Sequence, residues 1–166
     1  MQLLPEQNIK GRLSACRFGL SPVVMFPAYR VMQIKPVADI ISRVREIAFC
    51  EDFDTIVAIG NGGVIPAMLL QQKLDCDVEF IWLKLRDDNQ NQIYDTPQLL
   101  KPLTFDPFGK SILLVDDRSA SGKTLDAARG ILSSAAIIRT LVVNGKADYP
   151  LFDEECFYFP WRIDVY

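Results

Sequence analysis

The run ILLVDDRSASGKTLDAA, residues 112–128, decides the fold. An apolar stretch ends in two adjacent carboxylates, Asp116 and Asp117. A small-residue turn follows, Ser119, Ala120, Ser121, Gly122, Lys123 and Thr124, and a helical pattern begins. In a parallel sheet the carboxyl ends of the strands face the ligand crevice. A turn of small residues opening a helix exposes backbone N–H groups. Together with the helix dipole, these favour an anion such as phosphate. The Ser and Thr hydroxyls add donors and Lys123 adds charge.

A P-loop is the obvious competitor. Its first glycine must stand five positions before Gly122, and that position is Asp117. The acidic pair thus sits where a P-loop places its phosphate. A plain strand-turn-helix with solvated aspartates is the other alternative. It leaves two adjacent carboxylates beside an anion site without a purpose. A sugar diol or a hydrated magnesium ion next to the phosphate supplies one.

Outward from this run, the pattern is α/β. Thr55–Ile59, Val78–Leu85 and Ile137–Val143 are short apolar runs like Ser111–Val115. Such runs suit strands covered on both faces, as in a parallel sheet. Val64–Lys73 and Lys123–Leu132 read as intervening helices. An earlier helix starts at Pro36, with Val37, Ile40, Ile41, Val44 and Ile47 on one face. The expected fold is a parallel sheet flanked by helices. Residues 1–28 form an N-terminal arm, with an extended piece near Pro22–Phe26, and 29–166 form the domain. Arg86–Lys110 interrupts the alternation and is expected as a long mobile loop, either a solvated excursion or a lid. The aromatic tail, Tyr149–Tyr166, is either a strand plugging the core edge or a small hood walling a flat ligand.

Composition narrows the chemistry. The 166 residues, 49% hydrophobic and 23% charged, suit one soluble domain. A net charge of −3 gives no broad nucleic-acid footprint. No apolar run reaches membrane-span length, and Met1–Lys10 lacks a signal-peptide pattern, so the expected compartment is the cytoplasm. The four cysteines form no Cys-x-x-Cys pair, which argues against a zinc or redox centre. Histidine is absent, which excludes imidazole catalysis and His-ligated metal. Carboxylates, Lys, Tyr, backbone amides and a hard cation remain.

In this order of features, VDDRSASGKT, the chain resembles the type I phosphoribosyltransferases. Their signature is an apolar strand, two acidic residues, a short variable stretch and a small Thr/Ser-Gly-x-Thr turn. The resemblance implies that Asp116 and Asp117 hold the ribose hydroxyls and approach Mg2+, directly or through water. It implies that Ser119 to Thr124 wrap the 5-phosphate.

Residues 58–67, AIGNGGVIPA, extend the resemblance. They fail as a dinucleotide fingerprint, because the third glycine falls on Ile65. They match the glycine-rich diphosphate loop of purine members, so Gly60, Asn61, Gly62 and Gly63 are expected at the diphosphate. Asn61 stands where that loop carries arginine. Lys146 follows the strand at 137–143, where 6-oxopurine members place a lysine on the purine O6. Phe157 or Tyr158 is expected to stack on the base. Phe159-Pro160-Trp161-Arg162 resembles a Pro-Trp-acid motif, with Arg162 in place of the acid.

The resemblance spans residues 29–163. It implies transfer of the phosphoribosyl group of phosphoribosyl diphosphate to a nucleobase, here a purine, with release of diphosphate. It also implies a homodimer, and small molecules rather than nucleic acid or membrane as partners. Ala120 replaces the aspartate that 6-oxopurine members place near N7, and it cannot exchange a proton. Asn61, Ala120 and Arg162 together motivate a second expectation: a non-catalytic sensor of phosphoribosyl diphosphate or a nucleotide.

Overall fold

The computed structural model describes residues 33–84, 94 and 96–162. The expected N-terminal arm and its extended piece lie outside the described residues, as does 85–93 of the long loop.

Helix α1, Val37–Glu46, starts directly after Pro36 and turns Ile40 and Val44 into the core. Its C-terminal carbonyls lack intrahelical partners. Lys73 supplies them, with Nζ donating to Val44 O (3.0 Å), Arg45 O (2.8 Å) and Ile47 O. Strand β1, Thr55–Ile59, is buried at all five positions, as its apolar sequence requires. Helix α2, Gly60–Leu74, begins at once, four residues before the helix expected from Val64. The glycine-rich turn is therefore the first turn of a helix rather than a separate loop. Glycine disfavours helix by about 1 kcal/mol, and packing overrides it here. A Cβ on residue 63 would lie 2.3 Å from the carbonyl oxygen of Val115.

The expected strand at Val78–Leu85 divides. Strand β2, Asp77–Ile81, joins the main sheet. Strand β3, Leu83–Lys84, pairs antiparallel with β4, Gln98–Leu99, to make a two-stranded ribbon. The part of the interrupting segment that is described therefore carries structure of its own. Leu100 N–H donates to Trp82 O at 2.8 Å, and Lys101 Nζ lies 4.7 Å over the Trp82 ring.

Strand β5 is Ser111–Ser119, helix α3 is Lys123–Ile131, strand β6 is Ile137–Gly145 and strand β7 is Tyr149–Phe152. The five-stranded sheet has the order β2-β1-β5-β6-β7, and every pairing is parallel. Side chains alternate across it. Ile56, Ala58, Leu113, Val115, Leu141 and Val143 pack on one face with Ala67 and Leu70 of α2. Val57, Ile59, Ile112, Leu114 and Val142 pack on the other with Leu125 and Ala128 of α3. The helices lie on both faces, as a doubly covered parallel sheet demands.

Parallel neighbours usually need a crossover of a dozen or more residues. Between β6 and β7 only Lys146–Asp148 intervene, because Tyr149 pairs with Leu141, well back along the strand. Asp148 fastens this short return. Its carboxylate accepts from Thr140 N–H at 2.7 Å and Thr140 Oγ1 at 2.9 Å.

The aromatic tail divides between core and rim. Phe152, Phe157 and Phe159 are buried, with Phe157 edge-on to both neighbours at centroid distances of 5.8 and 5.4 Å. Tyr158 and Trp161 are half-buried. No helix among the described residues is long and apolar enough to cross a membrane.

Candidate active site

Because all five strands run the same way, their carboxyl ends share one edge. Asp116 and Asp117 lie there, near the end of the central strand β5. Asp116 is only 9% exposed, and its Oδ1 accepts from Asp117 N–H at 2.8 Å. Burial, then the adjacent Asp117 charge, pushes the Asp116 carboxyl well above the usual range. Burial also raises Asp117, against the opposing pull of the Arg118 and Arg162 guanidinium charges. Two adjacent like charges, one buried and one half-buried, are costly, and a group that offsets them would relieve that cost.

Two helix N-termini follow the two central strands. α2 starts from Ile59 and α3 from Gly122, and neither has a side-chain cap. Their first-turn N–H groups lack intrahelical partners and carry the positive end of the dipole. The expected diphosphate residues, Gly60, Asn61, Gly62 and Gly63, form the first turn of α2. Gly62 abuts both carboxylates: a Cβ there would approach Asp116 Oδ1 to 2.9 Å.

The expected 5-phosphate residues form the link from β5 into α3. Ser119 ends β5, is 6% exposed, and its Oγ has no hydrogen-bond partner. Ala120 and Ser121 are exposed, and Gly122 takes a φ of 80°, which favours glycine. Lys123 and Thr124 open α3, Lys123 exposed and Thr124 half-buried. This strand-turn-helix geometry suits an anion.

The base-side residues are more dispersed. Lys146 lies in the short return, its side chain exposed and its N–H donating to Ser119 O at 3.2 Å. Phe157 is a core residue, with its ring enclosed by neighbouring rings. Tyr158 is more open, and its main chain bonds to Gln33 O at 2.9 Å. Beside them stands a residue given no role by the motif. Arg118 Nη2 donates to Phe157 O, and its guanidinium lies 4.9 Å over the Phe159 ring. The available signal was a lone arginine between the acidic pair and the small turn.

Among the described residues, no group of three or more His, Cys, Asp or Glu side chains converges on a common metal position. Two adjacent carboxylates alone fit magnesium, which keeps most of its waters and takes substrate oxygens. They do not fit an ion caged wholly by protein.

Residues 31–164 match the family described as a phosphoribosyl transferase domain. The chain belongs to the phosphoribosyltransferase family. It is thus of the glycosyltransferase type of enzyme. A xanthine-guanine phosphoribosyltransferase of Chromohalobacter salexigens is 33% identical over 124 residues, 69% of this chain and 72% of that one. Another, from Idiomarina loihiensis, is 25% identical over 125 residues, 70% of this chain and 75% of that one. Among solved structures, a purine phosphoribosyltransferase from Pyrococcus horikoshii superposes with a TM-score of 0.67. It is 24% identical and covers 78% of this chain and 93% of that one.

Proposed function

We propose that this phosphoribosyltransferase moves the phosphoribosyl group of phosphoribosyl diphosphate onto a ring nitrogen of a purine, releasing diphosphate. One observation carries the reading. Two uncapped helix N-termini adjoin an acidic pair, one member buried and one half-buried, at the carboxyl edge of the sheet. That arrangement suits a ligand with a phosphate at each end and a diol between. The purine preference is supported by the two xanthine-guanine relatives. Lys146 lends it little, because its side chain is exposed.

In this reading the first-turn amides of α2, at Gly60 to Gly63, receive the diphosphate. Ser119 to Thr124 receive the 5-phosphate, with the unpartnered Ser119 Oγ as one donor. Asp116 and Asp117 accept from the ribose hydroxyls and hold the ring beside the base. Their charge opposes the positive charge that develops on the sugar as the bond to diphosphate breaks. Mg2+ bound at the acidic pair would neutralise the departing diphosphate oxygens. Positioning supplies much of the acceleration, which suits a chain without histidine. Tyr158 keeps its proposed place as the residue that stacks on the base, whereas the Phe157 ring is enclosed in the core and is not free to stack. The protein is proposed to work in the cytoplasm as a homodimer, the latter checked by sedimentation.

The test is diphosphate release from phosphoribosyl diphosphate and Mg2+ with a panel of purine and pyrimidine bases. Steady release with a 6-oxopurine is expected, and chelation of the metal should abolish it. Saturable binding of phosphoribosyl diphosphate without release on any base would replace this reading with that of a non-catalytic sensor.

A further inference from the structure

Some buried side-chain polar atoms lack a hydrogen-bond partner. Among the described residues they are Arg118 Nε, Ser119 Oγ and Trp161 Nε1. Ser119 Oγ falls within the phosphate turn. The other two belong to a run of contacts on the base side. The Arg118 guanidinium lies over Phe159, and Phe159 stacks on Trp161 with centroids 5.1 Å apart and planes 4° from parallel.

Arg118 is held firmly. It directly follows Asp117 and pairs in the sheet with Asn144. Asn144 itself grips the start of the tail, with its Oδ1 accepting from Glu154 N–H at 3.1 Å. Arg118 Nη2 is engaged by the Phe157 carbonyl, so the guanidinium has one fixed edge and one unsatisfied N–H. Arginine does not shed its proton, and an indole N–H only donates. Leaving such donors buried and unmet is costly. An acceptor supplied from outside the chain removes that cost.

Resting on the proposed function, we infer that Arg118 recognises the base, its Nε–H donating to the 6-oxo oxygen of a purine. Guanine presents two acceptors, O6 and N7, along one edge, whereas adenine presents N7 beside an amino donor. A guanidinium offers no acceptor to an amino group, so a donor aimed at that position selects a 6-oxopurine over a 6-aminopurine. Arg118 is then a specificity residue.

Calorimetry on the full chain with Mg2+ tests this without requiring turnover. The probes are guanosine 5′-monophosphate, adenosine 5′-monophosphate and ribose 5-phosphate. The wild type should bind the guanine nucleotide more tightly than the adenine one. Arg118→Met should weaken the guanine nucleotide at least about tenfold, as expected for one lost charge-assisted bond, and it also removes a charge that offsets Asp117. Arg118→Lys keeps a cation beside Asp117 and Phe159 but lacks the Nε donor, and it should show the same loss of the guanine nucleotide while ribose 5-phosphate stays within about twofold and the melting temperature is unchanged. Equal weakening of guanosine 5′-monophosphate and ribose 5-phosphate by Arg118→Lys, or no weakening of either, would overturn the assignment of Arg118 and leave the proposed function standing. Failure of the wild type to bind ribose 5-phosphate at all would overturn both.

Discussion

Gly62 and Asp117 compete for one space: a Cβ on residue 62 would stand 2.7 Å from both Cγ and Oδ1 of Asp117. The first turn of α2 therefore rests against the acidic pair with no side chain between. The proposed diphosphate amides and the proposed ribose carboxylates are set by one contact. Gly62→Ala should displace the Asp117 carboxylate and cut kcat/KM at least about tenfold, while overpacking costs about 1–3 kcal/mol of stability. Steady-state kinetics beside thermal unfolding checks it. Full activity would show that the contact has no role in catalysis.

Asp117 itself should separate activity from stability. Burial raises its pKa, so the ionised carboxylate is less favourable in the folded chain than in the unfolded one. Asn has the same shape without the charge. Asp117→Asn should therefore raise the melting temperature near neutral pH, yet lower kcat at least about a hundredfold. Unchanged turnover would remove Asp117 from the chemistry.

Gly145 closes the opposite side of the phosphate turn. Its φ is 113°, and a Cβ there would meet the Ser119 carbonyl oxygen at 2.2 Å. Backbone has no rotamer with which to yield. Gly145→Ala should cost at least about 2 kcal/mol by strain and overpacking. It should also weaken ribose 5-phosphate binding, because Ser119 leads the turn. Denaturant unfolding and calorimetry measure the two effects.

Asp148 gives the pH dependence. Burial pushes its carboxyl up, but the N–H and hydroxyl of Thr140 and the charges of Arg129 and Arg139 outweigh this and leave it lowered. A carboxyl lowered by folding stabilises the native state above its unfolded pKa of about 4 and loses that contribution as pH falls through the folded value. Asp148→Asn should thus be less stable than wild type near neutral pH, with the gap closing in acid. A gap that stays constant across an acid titration of unfolding would deny Asp148 this role.

The sequence made the centre of this molecule legible and its margins less so. β1 reads correctly because all five of its residues are buried and apolar. β5 reads as Ser111–Val115 but runs to Ser119, since polar Asp116, Arg118 and Ser119 still pair with β6. The start of α2 is hidden by glycines with poor helix propensity, whose presence is explained by contacts with Val115 and the acidic pair. The phosphate turn is visible because small residues, carboxylates and a helix start are all local signals. The base side is not local. Phe157 and Tyr158 are adjacent in sequence, yet Phe157 faces the core and Tyr158 is half-exposed. The burial that makes Arg118 notable comes from a tail some forty residues away, about the separation of Arg118 and Phe157 along the chain.

The three-residue return between β6 and β7 has a consequence for how the chain reaches this structure. Loop-closure entropy rises with the length of chain enclosed. Leu141 and Tyr149 close a short loop, whereas Thr55 and Ile112 must enclose most of the first half of the domain. The β6–β7 pair is thus the inexpensive contact and β1–β5 the slow one. The acidic pair sits on β5, between the two regimes. The binding edge is complete only when the most distant pairing in the sheet has formed, so the ligand is offered a site only by the fully paired sheet.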